Sequence, residues 1–136
     1  MKTSSIEATF ARDRETVWKV VTDNSQFQWR SDLKNIIMSE DGSSFTEISK
    51  EGYETRFTIT KKEPYSLYEF DLENENMNGH WKGVFEEAGS GTRIVFTESI
   101  KVKKPLMNLV IGAYLKKQQK RYVADLAQAL GESEPL

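Results

Sequence analysis

The sequence predicts an α+β domain: seven antiparallel strands in one curved sheet, wrapped around a long C-terminal helix, with two short helices between the first and second strands. Three observations carry this expectation. Residues 33–102 alternate strand-patterned runs with Gly-, Asn- or Asp-bearing turns roughly every 8–12 residues, the mark of consecutive hairpins. No gap between those runs has room for the crossover helix that a parallel sheet requires. The last long stretch, Pro105 to Leu130, reads as one helix of 26 residues, about 39 Å long.

The first strand is expected at Thr3 to Phe10, where Ile6, Ala8 and Phe10 alternate with Ser5, Glu7 and Thr9. A helix follows. Asp13 is suited to cap it, Glu15 sits where the helix dipole favours an anion, and Val17, Trp18 and Val21 form its apolar face. The cluster Asp23-Asn24-Ser25 ends that helix, and a second short one is predicted over Gln26 to Trp29. Six further strands are read at Leu33 to Ser39, Ser44 to Lys50, Tyr53 to Lys62, Ser66 to Glu73, Met77 to Glu87 and Thr92 to Val102. Residues 1–131 form one domain in this reading, and 132–136 form a frayed tail.

Strand parity assigns the faces. Tyr68, Phe70 and Leu72 oppose Glu69, Asp71 and Glu73. Phe57 and Ile59, with Tyr53, oppose Arg56, Thr58 and Thr60. Trp81 and Phe85 share a side with Met77, Gly79 and Gly83, opposite His80, Lys82 and Glu86. Ile94, Phe96, Ile100 and Val102 oppose Arg93, Thr97, Ser99 and Lys101. The inner face is therefore rich in rings, with small gaps expected at Gly79 and Gly83 where the helix packs. One helix cannot fill the concavity of seven curved strands, and the space left over suits a ligand.

Composition narrows the functional classes. A net charge of −2 gives no reason to expect a nucleic-acid partner. With no Cys, disulfides and thiolate chemistry are excluded, and a single His excludes a His-rich metal site. No metal or cofactor is expected. The start, MKTSSIEATF, lacks the apolar core of a secretory signal, and no stretch approaches the ~20 apolar residues of a membrane span. The expectation is a cytoplasmic protein without stable membrane insertion.

Arg14-Glu15-Thr16-Val17-Trp18, Asp23, Trp29, the turn Gly89-Ser90-Gly91-Thr92-Arg93 and the segment Leu126 to Leu130 occur in an order that resembles the START-like, Bet v 1-like helix-grip superfamily. Its bacterial branch is labelled polyketide cyclase/dehydrase or SRPBCC. The resemblance implies a sheet ordered 1-7-6-5-4-3-2 that grips the last helix, and a cavity for an apolar or amphipathic small molecule. The superfamily shares no catalytic residue, so the resemblance transfers none.

Thirteen residues are candidates to line that cavity: Trp29, Tyr53, Phe57, Tyr68, Phe70, Trp81, Phe85, Phe96, Glu98, Ile111, Leu115, Gln119 and Tyr122. Glu98, on the parity of Phe96 and Ile100, is the best candidate for an acid or base, against the plainer reading of a carboxylate at the cavity mouth. His80 falls on the outer face. Tyr53, Tyr68 and Tyr122 either offer hydroxyls or simply pack. Gln119 points toward the sheet and needs a ligand, a water or the solvent at the mouth as partner. Lys101, Lys103, Lys104, Lys116, Lys117, Lys120 and Arg121 either attract anionic head groups or form a solvated face. Leu106, Met107, Leu109, Val110 and Ile111 nearly surround the helix start; either loops 26–32 cover the excess or it makes a homodimer or membrane contact.

Three functions follow: binding or transport of a hydrophobic or amphipathic molecule such as a lipid, polyketide or aromatic metabolite; a cyclase or dehydratase using Glu98 or a tyrosine; or a co-chaperone-like interaction module. Non-enzymatic binding is the favoured one.

Overall fold

The computed structural model describes residues 1–135. Its elements are β1 (Lys2–Phe10), α1 (Arg14–Thr22), β2 (Leu33–Met38), β3 (Ser44–Ser49), β4 (Glu54–Glu63), β5 (Leu67–Glu73), β6 (Met77–Ala88), β7 (Gly91–Val102), a 3-10 turn at Pro105–Leu109, and α2 (Ile111–Ala129). The seven strands form one antiparallel sheet in the order β1-β7-β6-β5-β4-β3-β2. β2 to β7 pair with their chain neighbours through hairpins, and β1 closes onto β7 with Ile6 opposite Phe96.

Local chemistry explains the elements the sequence foretold. Asp13 caps α1 by accepting the Thr16 N–H at 3.3 Å and the Thr16 hydroxyl at 2.6 Å. Val17, Trp18 and Val21 are its buried face, and Trp18 packs edge-on against Phe85 with centroids 5.1 Å apart. The turn into β7 depends on Gly89 at φ 62°, and on Gly91, where a Cβ would run into the Phe10 carbonyl. Thr92 then buries its hydroxyl, which donates to the Arg12 carbonyl at 2.8 Å, while Arg93 holds Glu7 and Glu86, each at 2.8 Å.

Three expectations fail, and one of two open alternatives is removed. Residues 26–29 form turns instead of a second short helix: Arg30 N–H bonds the Phe27 carbonyl, and the chain uses its polar groups for loop closures. The long C-terminal helix is broken at Val110 (φ −117°, ψ −14°) into the 3-10 turn and α2. Leu106 and Leu109 are 82% and 86% exposed, so no packing holds the first turns in α geometry; α2 itself is 19 residues, about 28 Å. Loops 26–32 leave this apolar turn uncovered. The glycines also leave no gap for the helix. The Trp81 ring lies over Gly83, 2.5 Å from where a Cβ would stand, and the Ile100 side chain occupies the space beside Gly79.

The position of α2 decides the shape of the molecule. It packs chiefly on β1 instead of the centre of the sheet. Gln119 Nε2 donates to the Ser4 carbonyl and the Ser4 hydroxyl donates to Gln119 Oε1, both at 2.8 Å, while Lys116 Nζ donates to the Ser5 carbonyl at 2.6 Å. These bonds fasten the helix to the edge strand and cover its unpaired backbone. Ile111, Leu115, Gln119, Val123, Leu126 and Ala127 are the buried face of α2. At the far end, Glu132, the first residue of the segment expected to fray, accepts the Ala11 N–H at 3.0 Å. Leu136 lies outside the described residues.

Candidate ligand-binding cleft

Because α2 leans toward β1, the inner faces of β3 to β6 stay open beneath it. The space is a partly open cleft of about 840 Å³. Its wall is a chain of aromatic contacts set by the sheet register. Phe45 opposite Phe57 stacks at 4.9 Å, and Phe70 opposite Trp81 stacks at 4.8 Å with planes 1° apart. Gly83 makes the second stack possible, since only a residue without a side chain lets the Trp81 ring lie flat along β6. Phe96 and Tyr122 meet edge-on at 5.6 Å and join this wall to α2.

Ten of the candidate residues line the cleft as inner-face groups: Phe57, Tyr68, Phe70, Trp81, Phe96, Glu98, Ile111, Leu115, Gln119 and Tyr122. Tyr53 lines only the rim and is 63% exposed, because β4 begins one residue later and Tyr53 belongs to the preceding turn, where strand parity has no force. Phe85 is buried away from the cleft, under Trp18. Trp29 sits behind Tyr122 with centroids 5.3 Å apart and does not line the cleft. Gln119 has neither solvent nor a cavity water as its main partner; Ser4 satisfies it from both sides.

The polar groups of the cleft were largely invisible to sequence reasoning. Arg30 enters from the loop before β2, held in place where Ser31 donates from its N–H and hydroxyl to Asp125 on α2, both at 2.8 Å. Its guanidinium bonds Asp32 through Nε at 3.1 Å and Nη2 at 3.0 Å, reaches Glu47 on β3 at 3.4 Å, and lies 4.7 Å from the Tyr122 ring centroid. Burial opposes the Arg30 charge, but Glu47, Tyr122 and Asp32 outweigh it and hold the guanidinium firmly protonated. Glu47 is raised above its ordinary range by burial, aided by Asp32, and Arg30 only partly offsets this. Parity could have exposed Glu47, since it lies between Phe45 and Ser49. Ile48, on the opposite parity, blurred that signal.

Glu98 stands across from Trp81 in the β6–β7 register. It makes no hydrogen bond or ion pair to another described residue. Burial, followed by repulsion from Glu47, raises its pKa to about 7, with Arg30 pulling the other way. By area it is only half-buried, because the cleft admits water to it. Tyr68 is 2% exposed, and its hydroxyl has no hydrogen-bond partner; Asn24 approaches it without reaching hydrogen-bond geometry. Burial raises the Tyr122 phenol well above its ordinary value, so it stays protonated.

Outside the cleft, His80 bridges Asp71 and Glu69, both at 2.7 Å, on the outer face. Burial lowers its pKa, but the two carboxylates more than reverse this, so the net shift is upward. The basic surface is partly spent on structure: Lys103 bonds the Asn74 carbonyl at 2.7 Å, and Lys116 the Ser5 carbonyl. Among the described residues, no helix is long and apolar enough to cross a membrane, and no group of acidic or His side chains has the geometry of a metal site.

A curved antiparallel sheet closed by a C-terminal helix over a ring-lined cleft defines the START-like helix-grip fold. The chain belongs to the family described as polyketide cyclase / dehydrase and lipid transport, whose sequence profile matches residues 1–131. Solved structures share the fold. A START superfamily protein from Mycobacterium smegmatis superimposes with a TM-score of 0.72 at 15% identity, over 93% of this chain and 98% of that one. A conserved protein from Geobacillus kaustophilus gives 0.78 at 15% identity, over 95% and 93%. DynU16, from the dynemicin biosynthetic locus, gives 0.77 at 16% identity, over 99% of this chain and 49% of that one. No curated protein matches the chain.

Proposed function

We propose that this protein binds an apolar or amphipathic small molecule in the cleft between α2 and the inner face of β3 to β6. The observation that carries this reading is the combination of an aromatic wall with a few converging polar groups: Arg30, Glu47 and Glu98 in a volume of about 840 Å³. That pairing of apolar area with sparse, oriented polar groups is what small-molecule sites use for affinity and orientation. Membership of a family whose description includes lipid transport supports it. The exposed 3-10 turn supports it as well, because Met107 lines the cleft and Leu106 and Leu109 present apolar surface beside it. Titration of an uncharged fluorescent apolar probe tests the reading. Trp81→Ala is expected to weaken binding by about tenfold, while Lys117→Ala on the exposed face leaves it within about twofold. Equal effects from the two substitutions would count against an aromatic-lined site.

A second reading has one specific observation in its favour. Glu98, with a pKa of about 7, is suited to exchange protons with a bound molecule near neutral pH. In a cyclase or dehydratase it would serve as acid or base. Incubation with polyketide-like substrates tests this, with Glu98→Gln expected to abolish turnover while retaining binding.

A further inference from the structure

The binding reading says nothing about which polar end a ligand carries, and the charges around the cleft bear on that. Among the described residues Arg30 is the only cation at its buried end, and it is spent: Nε and Nη2 serve Asp32, and Nη1 and Nη2 serve Glu47 at 3.4 and 3.5 Å. Two carboxylates already share that one guanidinium. Glu98 adds a third acidic group with no protein partner. At the rim, Glu51, Glu54 and Glu75 face a single further cation, the exposed Arg121. Above pH 7, where Glu98 ionises, the carboxylates of the cleft outnumber its two arginines, and low-dielectric walls focus the resulting negative field inward.

Resting on the ligand-binding reading, we infer that the cleft takes an apolar molecule whose polar end is an uncharged or cationic hydrogen-bond donor, a hydroxyl or an ammonium group, and rejects a carboxylate on the same skeleton. A hydroxyl donates to Glu98; an ammonium group donates to Glu98 and relieves its repulsion from Glu47. A carboxylate meets Glu98 and Glu47 with no free cation at the buried end. Like-charge contacts of that kind select against a partner.

Calorimetric titration at pH 8 with 1-octanol, octylammonium and octanoate separates the possibilities, because the three share one carbon chain. Octanol and octylammonium are expected to bind about tenfold or more tightly than octanoate. Glu98→Gln is expected to narrow the octylammonium-to-octanoate ratio by about threefold or more. The substitution keeps side-chain shape, and circular dichroism confirms that the variant is folded. Octanoate binding as tightly as octylammonium, or a ratio unmoved by Glu98→Gln, would overturn the inference while leaving the binding reading intact. Failure of all three probes to bind overturns both.

Discussion

Over β1 and β7 the inner face of the sheet meets α2 and α1, and residues such as Ile94 and Leu126 are fully buried there. Over β3, β4 and β5 the same inward parity presents Phe45, Phe57 and Phe70 to a cleft instead. The two regions share strand chemistry and differ in what is fastened above them. Gln119 and Lys116 tie α2 to the backbone of Ser4 and Ser5 at the β1 edge, so the helix cannot also cover β3 to β5. The polar groups follow that division. The closed region satisfies its buried polar atoms internally, as Thr92 does. The open region keeps a half-satisfied set in Glu98 and the Tyr68 hydroxyl, which a fold selected for stability alone would avoid.

The contrast can be broken at several points. Leu126→Ala, on the closed side, is expected to cost about 2–5 kcal/mol in urea denaturation, because nothing can relax into the cavity it leaves. Its folded fraction should bind an apolar probe as the parent does, since Leu126 does not line the cleft. Arg30→Met, on the open side, leaves Asp32 and Glu47 uncompensated. Its expected cost is about 2 kcal/mol, less than for a fully enclosed pair because water in the cleft screens the carboxylates. A larger loss than that of Leu126→Ala would mean that the cleft is dry.

Glu98→Gln sharpens the comparison through pH. Burial raises the folded-state pKa from an ordinary 4.5 to about 7, so the folded protein disfavours the ionised form. Below about pH 4.5 both folded and unfolded carboxyls are protonated and the group has no effect on stability. As pH rises toward 7 the unfolded chain ionises first, and above 7 the penalty is complete. The glutamine variant should therefore match the parent at pH 4 and exceed it at pH 8 by about 1–3 kcal/mol, read from denaturation midpoints at the two values. Equal stability at pH 8 would place the carboxyl in a water-like environment.

Much of the molecule was legible in the chain. Alternation in Tyr68-Glu69-Phe70-Asp71-Leu72 has one solution when one face is buried, and the hairpin turns fix the order of β2 to β7; the place of β1 beside β7 was implied only by the family resemblance. The same parity found Glu98. Legibility failed where no period operates. Arg30 lies in a loop, so nothing marks its side chain as inward. Residues 26–29 carry helix-compatible residues but close turns instead, and Tyr53 lies one residue before its strand.

The sequence by itself therefore determined the sheet, its two faces and the helix that accompanies it, because these are consequences of local periodicity and turn chemistry. Only the tertiary structure decided that Trp81 lies flat over Gly83, that α2 begins only after Val110 and leans on β1, and that Arg30, Asp32 and Glu47 meet beside Glu98 in an open cleft. Those features depend on contacts between residues far apart in the chain, whose geometry no local pattern encodes.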